Sequence, residues 1–207
     1  MRFVLVHMSC AGAWAWGEVP ALLRAAGHEV LAPDLDLSAG QTPSSHADAV
    51  AASCGGDDPL VLAGHSYGGM VLPVLADRLP QRVRALVVVD GLVPDPGDPS
   101  FAIRPHRVAE RQAAARVGGG LFPPPADVDP RLVPMPISAF EAPVTFASVD
   151  VPRTFVWCTR SDMGAQAARA ADRGWRVVEV DAGHWLPLES PAVCAGVLLE
   201  GYGNGAG

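Results

Sequence analysis

The hexapeptide Gly64-His65-Ser66-Tyr67-Gly68-Gly69 follows the apolar run Leu60-Val61-Leu62-Ala63 and precedes a helical pattern from Met70. A serine in that setting has the pattern of a nucleophile elbow. It is held at a tight strand-to-helix turn that only flanking glycines permit, with its hydroxyl clear of the sheet. The helix that begins there aims free backbone N–H groups at negative charge developing beside the serine. Serine at its free pKa is a poor nucleophile, so it needs a base within hydrogen-bond reach and a third group to fix that base's tautomer. His184, in Asp181-Ala182-Gly183-His184-Trp185 after an apolar run, occupies a loop from which an imidazole can swing over neighbouring strand ends, and is the candidate base. The other histidines, His7, His28, His46, His65 and His106, are assigned structural roles, with the His65 ring expected to point away from the site. Two carboxylates compete for the orienting role: Asp90 after Val87-Val88-Val89, and Asp162 after the run from Phe155 to Ser161. Asp162 is favoured because its strand immediately precedes the one that leads to His184. Asp90, followed by Gly91, is then the cap of a turn.

The elements that must bring these groups together are short runs rich in Val, Leu and Phe, predicted as strands near residues 2–7, 29–32, 59–64, 83–89, 153–158 and 175–180. Continuous apolar strands indicate a parallel sheet buried on both faces. Helical patterns over 18–26, 44–54, 67–79, 164–173 and 190–200 alternate with them, the last opened by Ser190 and Pro191. This is the βα alternation of a doubly wound α/β sheet, in which ligands lie beyond the carboxyl ends of the strands. Residues 92–150 break the rhythm with Gly118-Gly119-Gly120, Pro123-Pro124-Pro125 and one predicted helix over Val108 to Arg116. Because the rhythm resumes at Arg153, this stretch reads as a lid insertion within one domain spanning 1–207 rather than a linker. The glycine-rich tail, residues 201–207, is expected to fray.

With 207 residues, 49% of them hydrophobic, the chain suits one domain with a sizeable core. A net charge of −7 with scattered Lys and Arg argues against nucleic acid as a partner. No run approaches a membrane span, and residues 1–7 lack a cleavage signal, which predicts a cytoplasmic protein without a membrane partner. Cys10, Cys54, Cys158 and Cys194 have no metal-ligand spacing and read as buried thiols, so no metal is expected. The glycines of the elbow fit neither a dinucleotide nor a phosphate-binding pattern, so no cofactor is expected.

Several spaced motifs together carry a family resemblance. His7-Met8-Ser9-Cys10-Ala11-Gly12-Ala13-Trp14-Ala15-Trp16 is similar to an opening His-Gly-x-Cys-x-Gly-x-x-x-Trp, and Ala32-Pro33-Asp34-Leu35, the elbow, Leu86–Asp90, Pro134–Phe140 and Gly183-His184 follow in order. Over nearly its whole length the chain resembles the α/β-hydrolase superfamily, and within it the plant methyl esterase and hydroxynitrile lyase group with its bacterial relatives. The resemblance implies a single-domain α/β-hydrolase fold with a mostly parallel sheet of about six strands. It also implies Ser66 as nucleophile, His184 as base, Asp162 as orienting acid, and an oxyanion hole made by the backbone N–H groups of Ser9 and Tyr67.

Departures from the group's pattern matter for chemistry. Esterases of the group carry Gly where this chain has Met8, and the lyases carry Thr there and a lysine at the place of Trp185. Met135 stands where the lid usually has His. These three residues are expected to line a narrow, dry pocket for a small hydrophobic substrate. The leading expectation is a serine hydrolase that cleaves an ester or thioester through an acyl-enzyme on Ser66. The alternatives are a lyase, cyclase or elimination enzyme using His184 and Asp162 for proton transfer, and a binding protein on the same frame. Phe101, Leu121 and Phe122 are candidates for an apolar surface that pairs two subunits.

Overall fold

The computed structural model describes residues 1–105, 107–126 and 128–203, the side chains of 202 and 203 excepted; His106 and the end of the tail lie outside the described residues. Six strands form one sheet: β1 (Arg2–Val6), β2 (Glu29–Leu31), β3 (Leu60–His65), β4 (Val83–Val89), β7 (Arg153–Cys158) and β8 (Arg176–Val180). Their order is β2-β1-β3-β4-β7-β8, and every neighbouring pair is parallel. The predicted strands are all present to within a residue or two, as are the predicted helices α1 (Val19–Ala25), α2 (Pro43–Ser53), α3 (Gly68–Arg78) and α7 (Gly164–Asp172), while α9 (Pro191–Gly203) runs three residues past its predicted end. A short helix α8 (Leu186–Glu189), opened by Pro187, lies between β8 and α9.

Side-chain alternation divides the strand residues between two cores. Val4, Val6, Leu60, Leu62, Leu86, Val88 and Phe155 pack with α2, α3 and α7. Phe3, Leu5, Val61, Ala63, Ala85, Val87 and Val156 pack with α1 and α9. All six residues of β3 are buried, as a strand covered on both faces must be. Thr42 caps α2 by accepting from the Ser45 N–H while Ser45 Oγ accepts from the Thr42 N–H, which satisfies two donors that the helix start would otherwise leave bare.

Residues 92–150 leave the sheet after β4 and return at β7, and hold α4 (Ser100–Ile103), α5 (Val108–Val117), β5 (Leu121–Phe122), β6 (Met135–Pro136) and α6 (Ser138–Glu141). The predicted helix at 108–116 is thus present, one residue longer. β5 and β6 pair as a small antiparallel ribbon, Phe122 opposite Met135. Charged bonds tie the segment to α7: Arg169 binds Asp95 and Asp98, Arg173 binds Asp95, and Gln166 Oε1 accepts from the Val93 N–H. Phe101 and Phe122 do not furnish an exposed apolar face, because both rings are buried against Phe140, and Leu121 is half-buried. No helix among the described residues is long and apolar enough to cross a membrane.

All four cysteines are free and buried. Burial pushes the Cys10 and Cys158 thiols up to about 12, the charge of Asp90 adding to the effect at Cys158. Thiolate is the reactive form. Titration with a disulfide reagent at pH 7.5 is therefore expected to release almost no thiol from the native protein and four equivalents after denaturation; prompt release from the folded protein would contradict this burial.

Candidate active site

Ser66 follows the end of β3 in the left-handed region, with φ of 54°. Such a conformation is costly for a residue with a β-carbon and survives only where the surroundings enforce it. Here a β-carbon on Gly64 would lie 2.6 Å from the carbonyl carbon of Gly68, and one on Gly68 would lie 2.4 Å from the Val6 oxygen. Glycine at both places lets α3 start directly against β1 and β3, and the serine hydroxyl is forced to the rim.

The ring of His184 stands over that rim. Ser66 Oγ is 3.0 Å from His184 Nε2, and His184 Nδ1 is 2.6 Å from Asp90 Oδ2. Since Nδ1 faces an acceptor, it carries the proton, and Nε2 is left to accept from the serine. Asp90 is fully buried, and its Oδ1 accepts from the Cys158 N–H at 3.0 Å and the Ser161 hydroxyl at 2.8 Å. Both oxygens of that carboxylate therefore have partners, which offsets the cost of burying its charge.

The partner of His184 is thus Asp90, not Asp162. Asp162 lies four residues beyond the end of β7, its side chain 71% exposed, and its carboxylate is held by Arg104 at 2.6 and 2.7 Å. β7 does lie beside β8, as expected, but the expectation fails because the acid that shares an imidazole with Ser66 must come from the strand next to β3, which is β4. β4 lies between β3 and β7, so the residue directly after β4 is beside Ser66, whereas the turn Thr159–Ser161 carries Asp162 away toward solvent. The signal for Asp90 is its place immediately after the last apolar strand residue, with Gly91 following. A β-carbon on Gly91 would lie 2.6 Å from the Ser66 carbonyl oxygen, so this pair packs directly on the elbow.

Three supporting histidines are neutral. His7 accepts from the Leu35 N–H at Nε2 and donates from Nδ1 to the Met8 carbonyl, fixing the loop that follows β1. His46 bonds Tyr67 Oη at 2.9 Å and the Asp36 carbonyl at 2.7 Å. His65, expected to point away from the site, instead donates from Nε2 to the backbone carbonyl of His184 at 2.7 Å and so positions the loop that carries His184. Burial, reinforced by the neighbouring His184, lowers its pKa to about 3. Asp34 Oδ1 accepts from the Ala13 N–H and steadies the same β1 loop. Among the described residues, no hydrogen bond within the chain occupies the N–H of Ser9 or Tyr67.

These groups open on a cavity of about 300 Å³ whose wall includes Met8, Ser9, Ser66, Tyr67, His184 and Trp185. Met8 is nearly buried, packed with Ala11 and Ala15 against Trp14 and Trp185, and Trp185 stacks on Trp14. Met135 does not reach this cavity. It is fully buried in the core beneath the β5–β6 ribbon, so the pocket role expected of it does not hold. The wall is also less apolar than Met8 and Trp185 suggest, because Arg104, Arg107, Glu110 and Arg111 line it. Arg104 and Arg107 lie in the connection between α4 and α5 and Arg111 in the first turn of α5, so no single helical stripe in the sequence announces them.

Residues 3–197 match the model of the alpha/beta hydrolase family. The chain belongs to that family. Over 230 aligned positions it is 31% identical to a carbendazim hydrolyzing esterase of Nocardioides sp., covering 92% of this chain and 95% of that protein. It is 39% identical to methylesterase 8 of Arabidopsis thaliana over 114 residues, but that alignment covers 49% of this chain and 42% of the plant protein. Among solved structures, an extracellular alpha/beta-hydrolase from a Paenibacillus species, described as homologous to tobacco salicylic acid binding protein 2, superposes with a TM-score of 0.85 at 19% identity, over 97% of this chain and 98% of that one. This α/β-hydrolase is accordingly a carboxylic ester hydrolase, related to the methylesterase group that its motifs resemble.

Two outcomes test the geometry. Asp90→Asn, which leaves His184 the wrong tautomer, should lower kcat by about 10⁴-fold, while Asp162→Asn stays within about threefold of wild type; the reverse pattern in esterase assays would overturn the assignment. The second concerns pH. A buried histidine with a depressed pKa binds fewer protons folded than unfolded, so its stabilising effect is complete above about pH 6.5 and is lost as pH falls toward 3. Urea unfolding between pH 7.5 and 4.5 should show stability falling by up to about 1.4 kcal/mol per pH unit for each such group, and His65→Gln should flatten the slope.

Proposed function

We propose that the α/β-hydrolase cleaves an ester or thioester of a small, partly hydrophobic metabolite through an acyl-enzyme on Ser66, with His184 as general base and acid, Asp90 as its orienting carboxylate, and residues 92–150 as a lid. The observation that carries this reading is the continuous hydrogen-bonded line from Ser66 Oγ through His184 to Asp90. Ser66 Oγ bonds to the substrate carbonyl carbon as its proton passes to His184 Nε2, and the carbonyl π electrons move onto oxygen. The N–H groups of Ser9 and Tyr67 receive that oxyanion, each worth about 3 kcal/mol of barrier. Collapse expels the alkoxide or thiolate, which takes the proton from His184. Water then gives a proton to Nε2 and attacks the acyl carbon, and return of that proton to Ser66 frees the acid.

The imidazole is pre-set for this exchange. His184 is held from behind by His65 and from the side by Asp90, so little reorganisation accompanies proton transfer. Tyr67 is fixed at its far end by His46 and on its face by Phe140, stacked at 5.6 Å, which keeps its amide in place. Met8, Leu92 and Leu132 offer apolar wall for a short chain or ring. The lid assignment rests on Arg104, Phe122 and Phe140, all from 92–150, lining the cavity with Ser66. The intact contact between serine and imidazole favours hydrolysis over proton-transfer chemistry that leaves the serine idle.

With p-nitrophenyl butyrate, rapid mixing should show a burst of p-nitrophenolate near one equivalent, a fluorophosphonate should label Ser66, and Ser66→Ala should fall to the uncatalysed background. Turnover that His184→Ala abolishes but that neither labelling nor Ser66→Ala affects would overturn the acyl-enzyme in favour of proton transfer.

A further inference from the structure

The cavity wall contains three arginines, and two have carboxylate partners. Arg104 is bound by Asp162, and Arg107 by Glu110. Arg111 is different. Its guanidinium carbon sits 5.1 Å from the ring centroids of both Phe122 and Phe140. Among the described residues no carboxylate forms an ion pair with it and no hydrogen bond uses its side-chain donors. It is half-buried, and burial draws its pKa down, as it must for a cation withdrawn from water.

Two aromatic faces stabilise the charge of a guanidinium but leave its five in-plane donors unsatisfied. They also hold the group rigidly, since Phe140 packs on Tyr67, Phe101 and Phe122. The result is a pre-positioned planar fork that lines the same cavity as Ser66. Such a fork matches a carboxylate, which can accept two parallel N–H bonds. An otherwise acidic protein, of net charge −7, repels anions in general, so a localised unpaired cation inside the cavity acts on what binds there.

We propose that Arg111 receives a second, ionised carboxylate of the substrate, so that the compound cleaved is an ester or thioester carrying a free acid group across a short apolar spacer. This rests on the acyl-enzyme chemistry proposed for Ser66 and sharpens its substrate class. Two sources share that chemistry: a half-ester of a dicarboxylic acid bears the free group on the acyl side, and an ester of a hydroxy acid bears it on the leaving side. Met8, Leu92 and Leu132 provide the wall for the spacer in either case.

The test measures binding to Ser66→Ala, which needs no turnover, so its failure is distinct from failure of the acyl-enzyme. By calorimetry, Ser66→Ala is titrated with monomethyl glutarate against methyl pentanoate, and with 4-butyryloxybenzoate against phenyl butyrate. At least one carboxylate-bearing probe should bind roughly tenfold or more tightly than its neutral counterpart. Ser66→Ala/Arg111→Gln should lose that preference, and Ser66→Ala/Arg111→Lys should keep part of it. The probe that shows the effect assigns the side of the ester that bears the acid. Equal affinity for charged and neutral probes in Ser66→Ala, or a preference that Arg111→Gln leaves unchanged, would overturn the proposal.

Discussion

The site depends on the contact between the ends of β3 and β4. The Ser66 N–H donates to the Val89 carbonyl and the Leu92 N–H donates to the Ser66 carbonyl, each at 3.1 Å. Around those two bonds the chain turns through the left-handed region twice, at Ser66 with φ of 54° and at Asp90 with φ of 44°. Each such residue costs of order 1–3 kcal/mol, and the pair persists because the strands behind it are buried on both faces. Move either turn and the hydroxyl and the carboxylate no longer share one imidazole.

How much of this is legible in the sequence follows from the kind of signal each part sends. The strands are readable because a strand covered on both sides has no polar alternation, as in Leu60-Val61-Leu62-Ala63. Ser66 and His184 are readable because each sits in a turn that follows an apolar strand, Ser66 two residues from Gly64 and Gly68 and His184 directly after Gly183, where a reactive side chain can be held clear of the sheet. Asp90 against Asp162 is a question of lateral strand order, and a single sequence carries no direct record of which strand lies beside which. Met135 misleads for a related reason: motif position places it in the segment 92–150, but which side chains of that segment face the cavity and which the core depends on how it packs, and Met135 is fully buried in the core. His65 is structural, as its place inside the elbow suggests, but it is not remote from the site, since its partner is a backbone oxygen 119 residues away along the chain.

Polar groups around the site form two shells with different characters. The shell below the imidazole is neutral or fully paired: His65, His7 and His46 carry no charge, and Asp90 is bonded on both oxygens. The shell above it, supplied by residues 92–150, is cationic and only partly paired. The charge nearest the imidazole is thereby confined to one fully bonded carboxylate, while the cavity wall that faces it carries arginines.

The insertion departs after β4 and returns at β7, and these strands are direct neighbours in the sheet, with Leu86 opposite Arg153. Because the two strands run parallel, its two feet are offset along the sheet by the three residues from Leu86 to Val89, about 10 Å, as well as by one strand spacing across it. Closing a loop over such a fixed gap grows costlier only slowly with its length. Over evolutionary time such an insertion is free to lengthen, shrink or be replaced wholesale, changing what the protein accepts while the scaffold that breaks the bond is inherited intact.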